Sequence, residues 1–156
     1  MANSKILRPI LIGGLIAGAL DITYACLFFG FRNHVSPIRI LQSVSRGALG
    51  QAAFQGGLKT AALGLGFHFL IALTAAAIYV VTSRTLRFMI KYAVVCGVLY
   101  GLCVYLFMYG IVMRVSAIHS TTLPWVYPWR VLIPNLLIHM FGIGLPIALV
   151  ARKYSK

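Results

Sequence analysis

Four stretches of the chain, residues 7–29, 60–82, 89–112 and 131–150, are each long and apolar enough to cross a bilayer, which takes about 17–25 mostly apolar residues. In lipid no water satisfies the backbone, so each such stretch must close its own hydrogen bonds as a helix. Hydrophobic residues make up 61% of the 156 residues and charged residues 10%, against about half and about a quarter in an ordinary soluble domain. A water-soluble core of this size has no room for that much apolar surface. The expected fold is therefore all-α: one polytopic membrane domain over residues 1–156, its four transmembrane helices forming two tandem hairpins.

Charge sets the orientation. A net charge of +13 in a soluble protein would suggest nucleic acid. Here the cationic residues gather at the ends of the apolar stretches, where anionic lipid headgroups account for them, so no nucleic-acid partner is expected. Lys5, Arg8, Arg84, Arg87, Lys91, Arg152, Lys153 and Lys156 fall on one side, mostly in short segments; Arg32, Arg39, Arg46, Lys59, Arg114 and Arg130 fall on the other. The positive-inside rule then places both termini in the cytoplasm. Basic residues before the first apolar run resemble a signal sequence. That run exceeds the 7–15 residues of a typical signal core and lacks a small-x-small cleavage site, so it reads as a retained span. Cys26, Cys96 and Cys103 all lie inside expected helices and read as buried, inert thiols.

The connections have character of their own. In residues 30–57, Ser36 followed by Pro37 is a helix start, with serine as N-cap and proline at the first helical position. Ile38, Leu41, Ser45 and Leu49 share one side of the ensuing turns, and Arg39, Gln42, Ser43 and Arg46 lie mostly on another. This predicts a short amphipathic helix in the first outer loop, resting at the interface or packed over the bundle. The third connection contains TTLPWVYPW, whose Trp125, Tyr127 and Trp129 suit the headgroup region or a lid over a cavity. His34 and His119 fall on the same outer loops.

The middle of the membrane holds the chemistry. Asp21 is the only acidic residue in the chain. It lies about 8 residues, or roughly 12 Å, from the outer end of the first span. His68 and His139, entering from the outer side, reach nearly the same depth, and Tyr105 lies close to it. Asp21 shares a helical stripe with Gly14, Gly18 and Ala25; His68 with Ala61, Gly64, Ala72 and Ala75; His139 with Asn135, Gly142 and Pro146. Small residues mark helix contacts in lipid, so these polar groups are expected to point inward. Facing lipid, an ionisable residue costs about 2.5–3.5 kcal/mol.

Three readings of this layer follow. In the first, Asp21 hydrogen-bonds a histidine, Tyr105 or Asn135, and the cluster only fixes helix register. In the second, Asp21, His68 and His139 form a proton or cation site, since histidine titrates near neutrality, or hold a transition metal. In the third, His68 and His139 are axial ligands of a b-type haem, with Gly64, Gly142 and Gly144 making room for the porphyrin. No Ser–His–carboxylate spacing, HExxH, phosphate-binding glycine loop or CxxC pair is present, and one acid excludes paired-carboxylate chemistry, so an enzyme is not indicated.

The segments GGLIAGALD, FHF with its Ala-rich continuation, and NLLIHMFGIGLPIAL together resemble small bacterial four-span inner-membrane proteins. The resemblance implies an inner-membrane location and carries no chemistry to particular residues. The function expected from the sequence is that of an accessory or assembly subunit, partnered by other membrane subunits or by itself and holding no cofactor. Its rivals are a proton- or metal-ion-translocating protein and a haem-binding electron-transfer subunit.

Overall fold

The computed structural model describes residues 2–155, with side chains from Lys5 onward. Its helices are α1 (Ala2–Asn33), α2 (Pro37–Leu49), α3 (Gly57–Thr85), α4 (Phe88–Lys91), α5 (Ala93–Phe107), α6 (Met113–Val115), α7 (Trp129–Leu137) and α8 (Leu145–Lys153). Two π-helical segments, Met108–Val112 and Ile138–Gly144, join α5 to α6 and α7 to α8. Among the described residues there is no strand. Four helical runs are long and apolar enough to cross a membrane: Lys5–Asn33, Gly57–Thr85, Ala93–Val115 and Trp129–Lys153. The third begins later than the hydropathy predicts. The chain breaks at Tyr92 (φ −105°, ψ 42°), leaving Met89 in the separate helix α4, where its carbonyl accepts a hydrogen bond from the Tyr79 hydroxyl at 3.1 Å.

Small residues decide which helices touch. Gly14 and Gly18 of α1 face α3, against Leu73 and Phe69. Gly101 of α5 meets the fourth span backbone to backbone: a Cβ there would sit 2.6 Å from the Met140 Cα and closer still to the His139 carbonyl. Close backbone approach of this kind is how helices gain dispersion energy in lipid, where the solvent is as apolar as the side chains. Helix α1 lies against both α3 and the fourth span, and α5 lies along the fourth span, but α3 and α5 stay apart for most of their length. What bridges them is the Tyr100 hydroxyl, donating to the Ala75 carbonyl at 2.7 Å.

The two ends of the bundle differ. At the end carrying the termini, Tyr79, Val80, Ala76, Ile147 and Ala148 are fully buried in one apolar cluster. Arg84 closes it, donating to the carbonyls of Lys5 (2.7 Å) and Tyr154 (3.2 Å) and so tying the start of α1 and the end of α8 to the end of α3. At the opposite end, α2 starts as its sequence predicts: Ser36 caps it by accepting from the Arg39 N–H at 3.3 Å, with Pro37 in the first turn. Its buried side is different from the predicted one. Ile40, Gln42 and Ser45 are buried, whereas Ile38 and Leu49 are exposed. Gly64 of α3 is the cause, because its missing side chain admits the α2 backbone at Leu41 and Ser45. Gln42 then turns in to donate to the Gly57 carbonyl at 3.0 Å.

Candidate functional site

Because α3 and α5 do not close on each other, the half of the bundle beneath α2 is hollow. A cavity of about 560 Å³ lies there, and Asp21, His68, Asn135 and His139 all line it. Its size falls inside the roughly 300–1,000 Å³ range of ligand pockets. The roof comes from α2, through Ser43 and Arg46, and from Ser116 and Ile118 of the third connection. The two parts of the roof are joined by the Ala117 N–H donating to the Gly47 carbonyl at 2.9 Å. The floor is the apolar cluster around Tyr79.

The imidazoles are oriented by backbone carbonyls. His68 Nε2 lies 2.8 Å from the Gly18 carbonyl, and His139 Nδ1 lies 2.8 Å from the carbonyl of Asn135, one turn earlier. A carbonyl only accepts, so each of these nitrogens carries the hydrogen. In the neutral form of each ring the remaining lone pair lies on Nδ1 of His68 and Nε2 of His139. Helical spacing makes the second bond, since residues four apart share a face. The first depends on Gly18, which lets α3 approach the α1 backbone.

Several polar groups at this cavity have no protein partner. Among the described residues, Asp21 makes no salt bridge or hydrogen bond. The Tyr24 hydroxyl and the Arg46 Nε, both in the cavity wall, are buried and unpartnered. Asp21 also lies within Coulombic reach of Tyr24, Tyr109 and His139. Protein interiors rarely leave buried polar atoms unpaired, so such a concentration points to occupation by water or a ligand.

Tyr105 is near the layer but outside the cavity wall. Its hydroxyl donates to the Pro124 carbonyl at 2.8 Å, and its ring backs onto His139 at a centroid distance of 5.3 Å. The hydroxyl thus anchors the third connection, while Tyr109, one turn on, takes the place at the cavity. Tyr24, Arg46 and Tyr109 escape a reading based on ionisable residues inside spans. The signal for Tyr24 and Tyr109 is their spacing, three residues from Asp21 and four from Tyr105. Arg46 has no such signal, because its place depends on how α2 docks.

Asp21, His68 and His139 share a cavity, yet among the described residues no three His, Cys, Asp or Glu side chains converge closely enough to hold a metal ion. For a haem, the glycines expected to leave room are filled: Gly64 by α2 and Gly144 by Gly97 and Gly101 of α5, while Gly142 faces the Ile138 side chain. His68 would also have to give up its bond to Gly18. The donor set does not fit a bis-histidine haem. Cys103, expected to be buried, is exposed, because it lies on the side of α5 that α3 leaves uncovered.

Both π segments flank the cavity. Met108, Tyr109 and Val112 line it from one, His139 and Ile143 from the other. π turns concentrate at functional sites. Pro146, which has no N–H to offer the carbonyl four residues back, follows directly on the second segment. No family model, curated protein or solved structure matches the chain.

Proposed function

We propose that the protein is a transport-type protein of the bacterial inner membrane, with both termini cytoplasmic, which receives a ligand from the outer side into the cavity beneath α2. The observation carrying this reading is the unpartnered set of Asp21, Tyr24, Arg46 and two imidazole lone pairs around one cavity of about 560 Å³. A cluster that merely fixed helix register would satisfy its members against one another. The packed floor around Tyr79 holds the inner side closed, so passage requires a second state in which the floor opens. The π segments supply weaker backbone at the level where that motion would start. The accessory-subunit reading has less support, because the small-residue faces suited to a partner helix, at Gly14, Gly18, Gly97 and Gly101, are filled from within the chain.

Cysteine accessibility tests this. With Cys26, Cys96 and Cys103 replaced by alanine, Ala25→Cys in the cavity wall should react with a membrane-impermeant maleimide added outside intact cells. Ala76→Cys in the floor should not. Equal silence at both positions, or labelling of Ala25→Cys only from the cytoplasmic side, would overturn the proposal.

A further inference from the structure

A second hollow adjoins the first. It occupies about 400 Å³ between α3 and the third span, lined only by residues of those two spans, among them Ile78, Cys103 and Phe107. Leu70, Ile71, Ala75, Val104, Met108 and Val112 line both hollows, so the two adjoin across a common wall. The polar groups are concentrated in the first. In the cleft, the Thr74 hydroxyl already donates to the Leu70 carbonyl at 2.8 Å and the Tyr100 hydroxyl to the Ala75 carbonyl at 2.7 Å. Both hydroxyls are satisfied, and the cleft offers a guest an almost wholly apolar surface. Ile78 and Phe107 are more than half exposed at its edge, so the cleft opens sideways toward the hydrocarbon.

The polar end has a definite preference. Asp21 is the only side-chain carboxylate in the chain, and among the described residues no Lys, Arg or His lies within ion-pair distance of it, so a cation from outside the protein can pair with it. In their neutral forms His68 Nδ1 and His139 Nε2 offer acceptor lone pairs with no bond among the described residues, which favours a cation carrying N–H donors over a quaternary one. Tyr24, Phe29, Phe67 and Tyr109 add aromatic faces to the same wall, and such faces attract cations by about 0.5–2 kcal/mol. A metal ion finds no three-ligand cluster among the described residues.

From this we infer that the ligand is an amphiphile that enters from the outer half of the bilayer: a protonated amine seated at Asp21, with an apolar tail passing between the shared lining residues into the cleft between α3 and α5. The inference rests on the cavity being a ligand chamber, as proposed above. Two sources share this chemistry. An aminophospholipid would also place its phosphate within reach of a cation, and Arg46 in the roof has an unpartnered Nε. A phosphate-free lipophilic amine would leave Arg46 to water.

Equilibrium binding to the purified full chain in maltoside detergent tests the idea, with radiolabelled dodecylammonium as probe. Unlabelled dodecylammonium should displace the label and dodecanol, with the same tail, should not. Asp21→Asn should weaken binding about tenfold to a hundredfold, the scale of a hydrogen bond to a charged group. Ile78→Trp, at the exposed edge of the cleft, should weaken dodecylammonium while leaving butylammonium unchanged. Displacement by dodecanol as effective as by dodecylammonium, or an unchanged affinity in Asp21→Asn, overturns the inference. Should Asp21→Asn fail to accumulate, the wild-type comparison of amine and alcohol decides alone. Ala25→Cys labelling separates the two levels: positive labelling without amine selectivity sinks the ligand class and leaves the chamber, whereas loss of both sinks the chamber. Arg46→Ala identifies the source, weakening phosphatidylethanolamine more than dodecylammonium if the phosphate belongs to the ligand.

Discussion

The packing of Gly101 on the fourth span offers a sharp test of how this bundle is held. In Gly101→Ala the new methyl would lie 2.6 Å from the Met140 Cα, against the 3.4 Å at which ordinary van der Waals packing begins. Its neighbours there are the backbone of His139 and Met140, which cannot rotate away as a side chain can. Helix α5 must therefore retreat by at least about 0.8 Å along this seam, more where the His139 carbonyl is nearer still, a gap that forfeits at least a quarter to a half of the dispersion attraction between the atoms facing each other across it. Overpacking of this kind costs about 1–3 kcal/mol. For a chain of this length that is a fall in melting temperature of about 2–12 °C. Gly66→Ala is the matched control, since nothing lies within 4 Å of a Cβ there. It removes a helix-interior glycine and should be neutral or stabilising by up to about 1 kcal/mol. Thermal unfolding in detergent, followed by circular dichroism, compares the two. Equal melting temperatures would refute the claim that backbone packing at Gly101 holds α5 to the fourth span. Because the same methyl presses on the residue that carries the imidazole, Gly101→Ala should also weaken dodecylammonium binding, and Gly66→Ala should not.

Three further outcomes follow from individual bonds. Arg84→Gln removes the bonds to Lys5 and Tyr154; with the side chain partly exposed, the cost should be about 1 kcal/mol, and hydrogen exchange should speed up at both chain ends together. Tyr105→Phe leaves the buried Pro124 carbonyl unpaired, at about 1–3 kcal/mol, and should make residues 116–128 cleave faster in limited proteolysis. Ser36→Ala removes the α2 cap, at about 1 kcal/mol; exchange should increase in the first turn of α2 with little change in α3.

Periodicity and depth carry far in a chain of this kind, because a helix rises 1.5 Å per residue and turns 100°, so position along the chain converts directly into level and face. That arithmetic puts Asp21, His68, His139 and Tyr105 near one level, and the structure has the first three in the wall of one cavity with Tyr105 outside it. The four long apolar helices and the Ser36–Pro37 start of α2 were legible for equally local reasons: length against bilayer thickness, and a cap bonding its own first turn. Apolar residues by themselves did not reveal which faces pack, since lipid accepts them on every side and hydrophobicity loses its power to separate core from surface. Ile38 and Leu49 on the exposed side of α2 are the instance.

What tertiary structure alone decided is where the backbones come close. Gly64 seats α2 across α3 and thereby brings Arg46 over the cavity; Gly18 lets His68 reach an α1 carbonyl, which selects the nitrogen left free. Pro124 draws the Tyr105 hydroxyl away from the layer. Above all, the fourth span packs on α1, α5 and α3 while α3 and α5 remain parted, and that gap is a property of four helices together. No stretch of sequence encodes it locally, because a void is defined by the atoms around it, and those atoms come from every span.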